Sequence, residues 1–330
     1  MDKTNNLLEF EKTLVEIENR IRDLENASAT HGMDLSAQIN ELREQYKREA
    51  VRIYSSLSPW ERVRVARHKD RPTTSDYIGL MITDFTELHG DRGFRDDAAI
   101  VTGFGRIDDE RIMLVGHRKG RNTRERTQCN WGCAHAEGFR KALLKMRIAE
   151  RFRLPIVTLI DTMGAYPGVG AEERGVAQAI ADNILAMSEM RVPIVSVVIG
   201  EGGSGGALGI GMADRLCILE HAYYSVISPE GCAAILWKSA DKKAEAANAL
   251  KLTANNLLKM GIADEIVPEP IGGAHRDHKQ MTATLKSVIL RNVRELKEIP
   301  VDDLLTQRYD KYRKMGVFGK ASQEVQESKS

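Results

Sequence analysis

The stretch that decides the fold runs from Ile194 to Ala207 and reads Ile-Val-Ser-Val-Val-Ile-Gly-Glu-Gly-Gly-Ser-Gly-Gly-Ala. Its first six residues are a mostly apolar, β-branched run of the kind that forms a buried strand. Five of the eight residues from Gly200 onward are glycine. The pattern predicts a strand over Ile194–Ile199, a glycine turn, and then a short helix to Ala213.

A second segment upstream has the same arrangement. Ile156–Ile160 is an apolar run, and the glycine-containing loop Thr162–Gly170 leads to a helix predicted over Ala171–Met190. Further strands are predicted over Ala99–Ile107, Arg111–Gly116, Arg215–Leu219 and Tyr223–Ile227, and a helix over Ala134–Phe152. Strands that alternate with helices indicate right-handed crossovers and a mostly parallel sheet, so the fold class is α/β.

Charged helices flank this region. In the first 60 residues, apolar side chains recur at three- and four-residue spacing on both sides of His31-Gly32, which predicts a helical hairpin packed on the main domain or on a partner. Two more helices are predicted over Met281–Leu296 and Val301–Met315. The residues after Val317 are small and polar, and we expect a flexible tail there.

Composition excludes several classes of function. The 48 basic and 47 acidic residues leave a net charge of +1, which argues against a specific role with nucleic acid. The longest apolar runs are far shorter than the roughly 20 residues of a membrane helix, and the N-terminus lacks the apolar core of a signal peptide. The four cysteines form no paired C-x2-C motifs, so we expect no metal and reduced thiols in the cytoplasm.

The glycine turn is the main candidate for chemistry. Ligands gather where parallel strands end, and a helix that begins there offers unpaired N–H groups and the positive end of a dipole. We predict an oxyanion site at this turn. The turn also contains the G-x-S-x-G pattern of serine hydrolases, with Asp161, His221 and His275 as candidate partners, but the neighbouring glycines produce that match easily. We interpret Ser204 as a helix cap.

A basic segment, His117–Arg126, directly follows a predicted strand. Its positive charges would attract phosphate groups, which makes Arg118, Lys119 and Arg121 candidate phosphate-binding residues. A solvated basic loop is an equal alternative.

Several long motifs resemble one known family, the carboxyltransferase alpha subunits of bacterial acetyl-CoA carboxylase. They occur in the family's order and extend over nearly the whole chain up to Val317. The resembling stretches are 116–120, 161–175, 199–208, 224–232, 235–239 and 268–276. One departure is Met163, which stands where the family usually has proline, so the loop loses a fixed φ and gains a backbone donor.

The resemblance implies a crotonase-like (Clp/crotonase) ββα superhelix with a helical N-terminal extension and a helical C-terminal segment. It divides the chain into an N-terminal helical region (1–70), a carboxyltransferase domain (71–316) and a polar tail (317–330). It also implies transfer of a carboxyl group from carboxybiotin to acetyl-CoA, giving malonyl-CoA for fatty-acid synthesis. The biotin enolate would take the α-proton of acetyl-CoA, so that no side-chain nucleophile is needed.

Partners and site residues follow from the same resemblance. The chain would work with a zinc-ribbon beta subunit in an alpha2beta2 heterotetramer, with biotin held on the biotin carboxyl carrier protein and with ATP used by biotin carboxylase. The active site would lie between the subunits, with biotin on the alpha side. The implied oxyanion donors are Gly205, Gly206 and Ala207, and the implied biotin-binding residues are Gly164, Ala165, Tyr166, Gly203 and Ser204.

Three alternatives stay open at this point. Another crotonase-fold enzyme, such as an enoyl-CoA hydratase or isomerase, would use placed carboxyl groups, for which Glu201 and Glu230 are candidates. A serine peptidase on the same fold would use Ser204. A non-catalytic scaffold would be held by the charged helices.

Overall fold

The computed structural model describes residues 8–316, so the predicted tail at 317–330 lies outside the described residues. The helices are α1 (Lys12–His31), α2 (Ser36–Ser55), α3 (Pro59–Ala66), α4 (Thr74–Met81), α5 (Thr123–Gln128), α6 (Ala136–Arg151), α7 (Val169–Glu173), α8 (Val176–Glu189), α9 (Ser204–Leu208), α10 (Pro229–Trp237), α11 (Lys243–Ala249), α12 (Ala254–Lys259), α13 (His278–Lys297) and α14 (Val301–Arg313). The strands are β1 (Thr83–Glu87), β2 (Ile100–Ile107), β3 (Glu110–His117), β4 (Ile156–Thr162), β5 (Ile194–Gly203), β6 (Arg215–Leu219), β7 (Tyr223–Ser225) and β8 (Glu265–Val267).

One eight-stranded sheet organises the chain, in the order β1-β2-β3-β4-β5-β6-β8, with β7 paired to the far end of β5. The strands from β3 to β8 are parallel, and β2 pairs antiparallel with both β1 and β3. Ile156 of β4 lies opposite Ile194 of β5. This register brings the carboxyl ends of the two central strands to the same edge of the sheet.

Burial explains why these two strands could be identified from the sequence. Every residue of β4 and β5 is buried, because helices cover both faces of a parallel sheet and both faces must then be apolar. The predicted parallel α/β architecture is confirmed.

The N-terminal helices form the predicted hairpin and pack on the body of the protein. Gly32 ends α1 in the left-handed conformation, at φ 65°. The hairpin has its own small apolar cluster around Leu14 and Tyr54. Arg276 ties it to the body by ion pairs to Glu11 at 2.8 Å and Glu18 at 3.0 Å.

Several predicted boundaries were wrong, and three of the differences lie next to the candidate site. The helix predicted over Ala171–Met190 is two helices, because Gly175 takes φ 74° between α7 and α8. β5 continues through the first glycines to Gly203, since pairing with β7 extends the strand. The helix after the turn ends at Leu208 instead of Ala213.

Candidate active site

The two loops that follow β4 and β5 touch each other through their backbones. A Cβ added to Gly206 would lie closer than 3.0 Å to the backbone of Gly164 and Ala165, and one added to Gly203 would lie equally close to the Met163 carbonyl. The structure therefore brings the two glycine-rich segments together, as the sequence predicted. Glycine is required at Gly203 and Gly206 because a side chain there would prevent the two backbones from coming into contact.

The glycine turn leads into α9 with an unusual backbone conformation. Ser204 is the first helical residue and has φ 52°, in the left-handed region that non-glycine residues rarely adopt. Gly203 holds the cap position, and no side-chain cap hydrogen bond is present. The interpretation of Ser204 as a helix cap was wrong, because its side chain projects outward, exposed, from inside the first turn.

The first turn of α9 carries free donors. The N–H groups of Gly205 and Gly206 precede the first intrahelical acceptor, and among residues 8–316 neither donates a hydrogen bond. Gly206 and Ala207 are buried, and Gly205 is half-buried. This geometry supplies the donors that an oxyanion site requires.

The residues that a Ser204 triad would need are engaged elsewhere. Asp161 binds Lys119 at 3.0 Å. The Nδ1 atom of His221 lies 3.0 Å from Arg62, and the Nε2 atom of His275 lies 3.4 Å from Glu11. Within residues 8–316, no hydrogen bond joins Ser204 Oγ to a histidine. A serine peptidase that used Ser204 would therefore have no histidine in place to act as its general base.

A buried ion network fixes the starts of both loops. The Lys119 ammonium donates to Asp161 at the end of β4 and, through a very short contact, to Glu201 of β5. Asp161 Oδ1 also accepts from the Glu201 backbone N–H at 3.0 Å. On its other side, Glu201 accepts from Arg67 at 2.6 Å and from the Tyr223 hydroxyl at 2.7 Å. The network sets the separation of the two strand ends.

The network also sets the charge of Glu201. Burial opposes ionisation of this carboxyl, but the adjacent charges of Lys119 and Arg67 outweigh burial and lower its pKa to about 2. Burial disfavours the charged form of Lys119, yet its two carboxylate partners raise the pKa of its ammonium. Glu201 is therefore a fixed anion, unsuited to the acid–base role of a hydratase. Glu230, the other candidate, binds Arg67 at 2.6 Å.

The candidate phosphate-binding residues already have partners in the chain. Arg118 donates to both oxygens of Glu87 at 2.9 Å, and Arg121 pairs closely with Asp76. Lys119 is held in the network above. A phosphate would have to compete with these carboxylates, and the prediction stays untested.

Tyr166 and its neighbours lie beside the turn. The Tyr166 ring stacks on His135 with centroids 4.2 Å apart, and its N–H donates to the Ala134 carbonyl. The Thr162 hydroxyl accepts from the Gly164 N–H at 3.1 Å. These contacts fix the loop predicted to bind biotin on Ala134 and His135, and its close backbone approach to Gly206 places it against α9.

A cavity of about 420 Å³ opens beside the ion network. Lys119, Asp161, Met163 and Glu201 line it from the sheet edge. The rest of its wall is formed by Ala66, Arg67, His68, Lys69, Arg71, Thr73, Gly120, Arg126, Trp131, Ser228 and Glu230. Arg67, Tyr223 and Trp131 are residues of this site that the sequence did not predict. No motif identified them, because Arg67 reaches Glu201 across 134 residues of sequence.

Arg71 anchors the segment that forms one wall of this cavity. Its guanidinium binds both oxygens of Glu269, at 2.5 and 2.8 Å, and donates to the carbonyl of Ile199 at 2.7 Å. Both side chains are buried. Burial disfavours the Glu269 anion, but Arg71 and His221 outweigh it and lower the pKa of Glu269 to about 2.

We expect Glu269→Gln to lower the free energy of unfolding at pH 7 by about 3–5 kcal/mol, because it leaves a buried guanidinium without its counter-charge. The carboxylate stabilises the fold above its ordinary pKa of 4.5, and this contribution is lost as pH falls towards about 2. The difference between wild type and variant should therefore shrink over that interval. Chemical denaturation at pH 7 and pH 3 measures it. The exposed Glu41→Gln is the control, and equal stability of the two variants at pH 7 would contradict the argument.

One group of residues could be considered for a metal. Glu11, His68 and His275 each offer a donor atom, all within 4.8 Å of one another. However, Glu11 Oε1 already accepts from Tyr54 at 2.6 Å and Arg276 at 2.8 Å, and the two histidine rings stack with centroids 4.1 Å apart. We interpret the group as the junction between the hairpin and the body.

No helix within residues 8–316 combines the length and the apolar character needed to cross a bilayer. Cys129, Cys133, Cys217 and Cys232 are buried free thiols.

Comparison with solved structures places the fold. The chain is similar to transcarboxylase 12S (TM-score 0.52, 20% identity, 67% of this chain and 42% of that one). It is also similar to the beta subunit of geranyl-CoA carboxylase from P. aeruginosa (TM-score 0.53, 18% identity, 74% and 46%). The chain spans less than half the length of either. These likenesses confirm the crotonase-like fold.

Comparison of sequences identifies the family. The family described as acetyl co-enzyme A carboxylase carboxyltransferase-like matches residues 7–316. The chain is 52% identical over 311 residues to the acetyl-coenzyme A carboxylase carboxyl transferase subunit alpha of Rhodopirellula baltica, covering 94% of this chain and 97% of that relative. The chain therefore belongs to the family of acetyl-CoA carboxylase carboxyltransferase alpha subunits, components of a biotin-dependent, multi-subunit enzyme.

Proposed function

We propose that this chain transfers the carboxyl group of carboxybiotin, presented by the biotin carboxyl carrier protein, to acetyl-CoA, and so forms malonyl-CoA for fatty-acid synthesis. The observation that carries the proposal is the contact of Gly206 with Gly164 and Ala165. It sets free N–H groups at the joint edge of β4 and β5, where a ligand can approach the backbone.

Carboxybiotin is a substrate that supplies an activated carboxyl group, and its ureido oxygen becomes negative when that group leaves. The N–H groups of Gly205, Gly206 and Ala207 are the donors for this oxygen, because donors fixed before the reaction stabilise charge without reorganising. Gly164, Ala165, Tyr166, Gly203 and Ser204 form the surrounding wall. No side chain acts as a nucleophile in this scheme, which agrees with the engagement of Asp161, His221 and His275 elsewhere.

The other components of the reaction, including the site for acetyl-CoA, belong to partner proteins in this proposal. We propose a beta subunit that carries a zinc ribbon and handles the thioester of acetyl-CoA, joined to this chain in an alpha2beta2 heterotetramer in the cytoplasm. Biotin carboxylase would recharge the carrier protein with ATP. The active site would then lie between the subunits.

Reconstitution tests this proposal. We expect the purified chain alone to form no measurable malonyl-CoA, because the acetyl-CoA half of the site is missing. Addition of the beta subunit should restore turnover with carboxybiotin as donor. Malonyl-CoA formation by the chain alone would overturn the two-subunit proposal, and an inactive assembled complex would overturn the proposed reaction.

A further inference from the structure

The segment between α3 and α4 holds the end of β5 from outside the sheet. Arg67 donates to Glu201 at 2.6 Å, and Arg71 donates to the Ile199 carbonyl at 2.7 Å. These two acceptors lie on either side of Gly200, where the glycine turn begins. The position of the segment therefore sets the position of the strand end that leads into the turn.

A histidine pair, His68 and His275, joins this segment to the N-terminal hairpin. The ring of His68, which directly follows Arg67, stacks on the ring of His275 with centroids 4.1 Å apart and an angle of 27° between the planes. The Nε2 atom of His275 lies 3.4 Å from Oε1 of Glu11, in the short turn that precedes α1. The hairpin thus reaches the neighbour of Arg67 through one buried carboxylate.

The carboxylate of Glu11 is charged at neutral pH. Burial opposes its ionisation, but His275, Arg276 and the Tyr54 hydroxyl outweigh burial and lower the pKa of Glu11 to about 2. Its Oε1 atom accepts from Tyr54 at 2.6 Å and from Arg276 at 2.8 Å. A buried anion whose donors are fixed has few alternative positions, so it can hold a neighbouring ring in place.

A second route from the hairpin runs through Tyr54 of α2. Its ring packs on His221 with centroids 5.3 Å apart. The backbone N–H of His221 donates to Glu269 at 2.9 Å, and Glu269 is the carboxylate that binds Arg71. The Nδ1 atom of His221 also lies 3.0 Å from Arg62 of α3, the helix that leads into the segment. The hairpin therefore contacts the supports of both arginines.

The apolar contacts of the hairpin are separate from the core of the sheet. Leu14, Tyr54 and Val65 belong to one small cluster, whereas β4 and β5 lie in the large core. Loss of a polar contact in the hairpin should therefore displace α3 and the segment after it before it disturbs the sheet.

We infer that the N-terminal hairpin positions Arg67 and Arg71 for carboxyl transfer. Glu11 acts on Arg67 through the histidine pair. Tyr54 acts on Arg71 through His221. Both positioning residues lie outside the cavity wall. The inference rests on the proposed function and extends it by giving the N-terminal hairpin a part in the reaction.

The test measures malonyl-CoA formation by complexes assembled with the beta subunit, with carboxybiotin as donor. We expect Glu11→Gln to lower kcat about tenfold, because the neutral amide holds His275 less firmly and the end of β5 shifts. KM for acetyl-CoA should stay within about twofold of wild type, since the beta subunit handles that substrate in the proposal.

Glu18→Gln is the matched control for Glu11→Gln. Glu18 lies on the same hairpin and pairs with the same Arg276 at 3.0 Å, and among residues 8–316 it forms no ion pair with His275. Its kcat should stay within about twofold of wild type. Equal losses of kcat in Glu11→Gln and Glu18→Gln would overturn the inference, because the hairpin would then contribute stability alone.

Tyr54 gives an independent readout. Tyr54→Phe keeps the ring on His221, so its kcat should stay within about threefold of wild type, whereas Tyr54→Ala should lower kcat about tenfold. Equal kcat in the two variants would contradict the route through His221.

A double-mutant cycle tests the route through Arg67. In an Arg67→Met background, Glu11→Gln should lower kcat by less than about threefold, because the residue that Glu11 positions is already absent. A purely structural role of Glu11 predicts the same loss, about tenfold, in both backgrounds.

The remaining outcomes separate the inference from the proposed function. With an active wild-type complex, wild-type kcat in Glu11→Gln or independent effects in the cycle would overturn the inference. Loss of assembly in Glu11→Gln, checked by light scattering, would overturn it too, because the hairpin would then serve the contact with the partner. An inactive wild-type complex would refute the proposed function itself.

Discussion

Lys119→Met should reduce carboxyltransferase turnover of the assembled complex by at least about a hundredfold, since a displacement of about 1 Å at a reacting site has effects of this size. Lys119 is the cation shared by Asp161 and Glu201. Without it, Asp161 and Glu201 face each other at the ends of β4 and β5 with only Arg67 left beside Glu201, which favours uptake of a proton by one carboxylate or its movement away from the other. Either change separates the loops that carry the oxyanion donors.

Lys119→Met should lower both the free energy of unfolding and the turnover. The pH dependence of the lost stability shows whether the loss comes from the carboxylates that Lys119 neutralises. Lys119 is one of the charges that lower the pKa of Glu201, so removal of the ammonium should raise that pKa, and the loss of stability should grow as pH rises and Glu201 ionises. Thermal denaturation between pH 5 and pH 8 measures this trend. The exposed Lys259→Met is the control for removal of a lysine. Wild-type turnover in Lys119→Met would show that the network does not position the loops.

The parts of this site that could be predicted from the sequence are those that a local pattern encodes. β4 and β5 are fully buried, so they appear as continuous apolar runs, and the glycine turn after β5 identifies its carboxyl end. The meeting of the two loops follows from parallel pairing alone. The long motifs at 116–120, 161–175 and 199–208 then identified the family that the chain resembles.

The parts that could not be predicted depend on tertiary contacts or on a single dihedral angle. Gly175 breaks a helix at φ 74° inside an otherwise regular helical pattern. Ser204 has residue chemistry suited to a cap, but the extension of β5 moves the cap to Gly203. The basic segment was interpreted from its charge, and its carboxylate partners Asp76 and Glu87 lie outside that segment.

The glycine turn therefore has two roles, close packing against the loop after β4 and the supply of backbone N–H donors. Gly203 and Gly206 allow close contact with the loop after β4, and their missing side chains are the reason for that contact. Gly205 faces Ile180 of α8, where an added Cβ would lie at an ordinary 3.4 Å. The packing role of Gly206 can thus be compared with an adjacent position of the same turn at which a side chain fits.

Gly206→Val should lower turnover by at least about 10²–10³, the range seen when one oxyanion donor is lost, because the collision displaces the N–H groups of the turn. The valine side chain would collide with the backbone of Gly164 and Ala165, and backbone cannot rotate aside as a flexible side chain can. Gly205→Ala retains its N–H group and fits its space, so its turnover should stay within about threefold of wild type. Both variants should be measured as assembled complexes, with assembly checked separately by light scattering. If Gly206→Val assembled and retained turnover, neither the donors nor the loop contact would be needed for catalysis, and the chain would act as a binding subunit. If Gly205→Ala were as damaging as Gly206→Val, backbone freedom at the turn, and not the contact at Gly206, would be the property that catalysis requires.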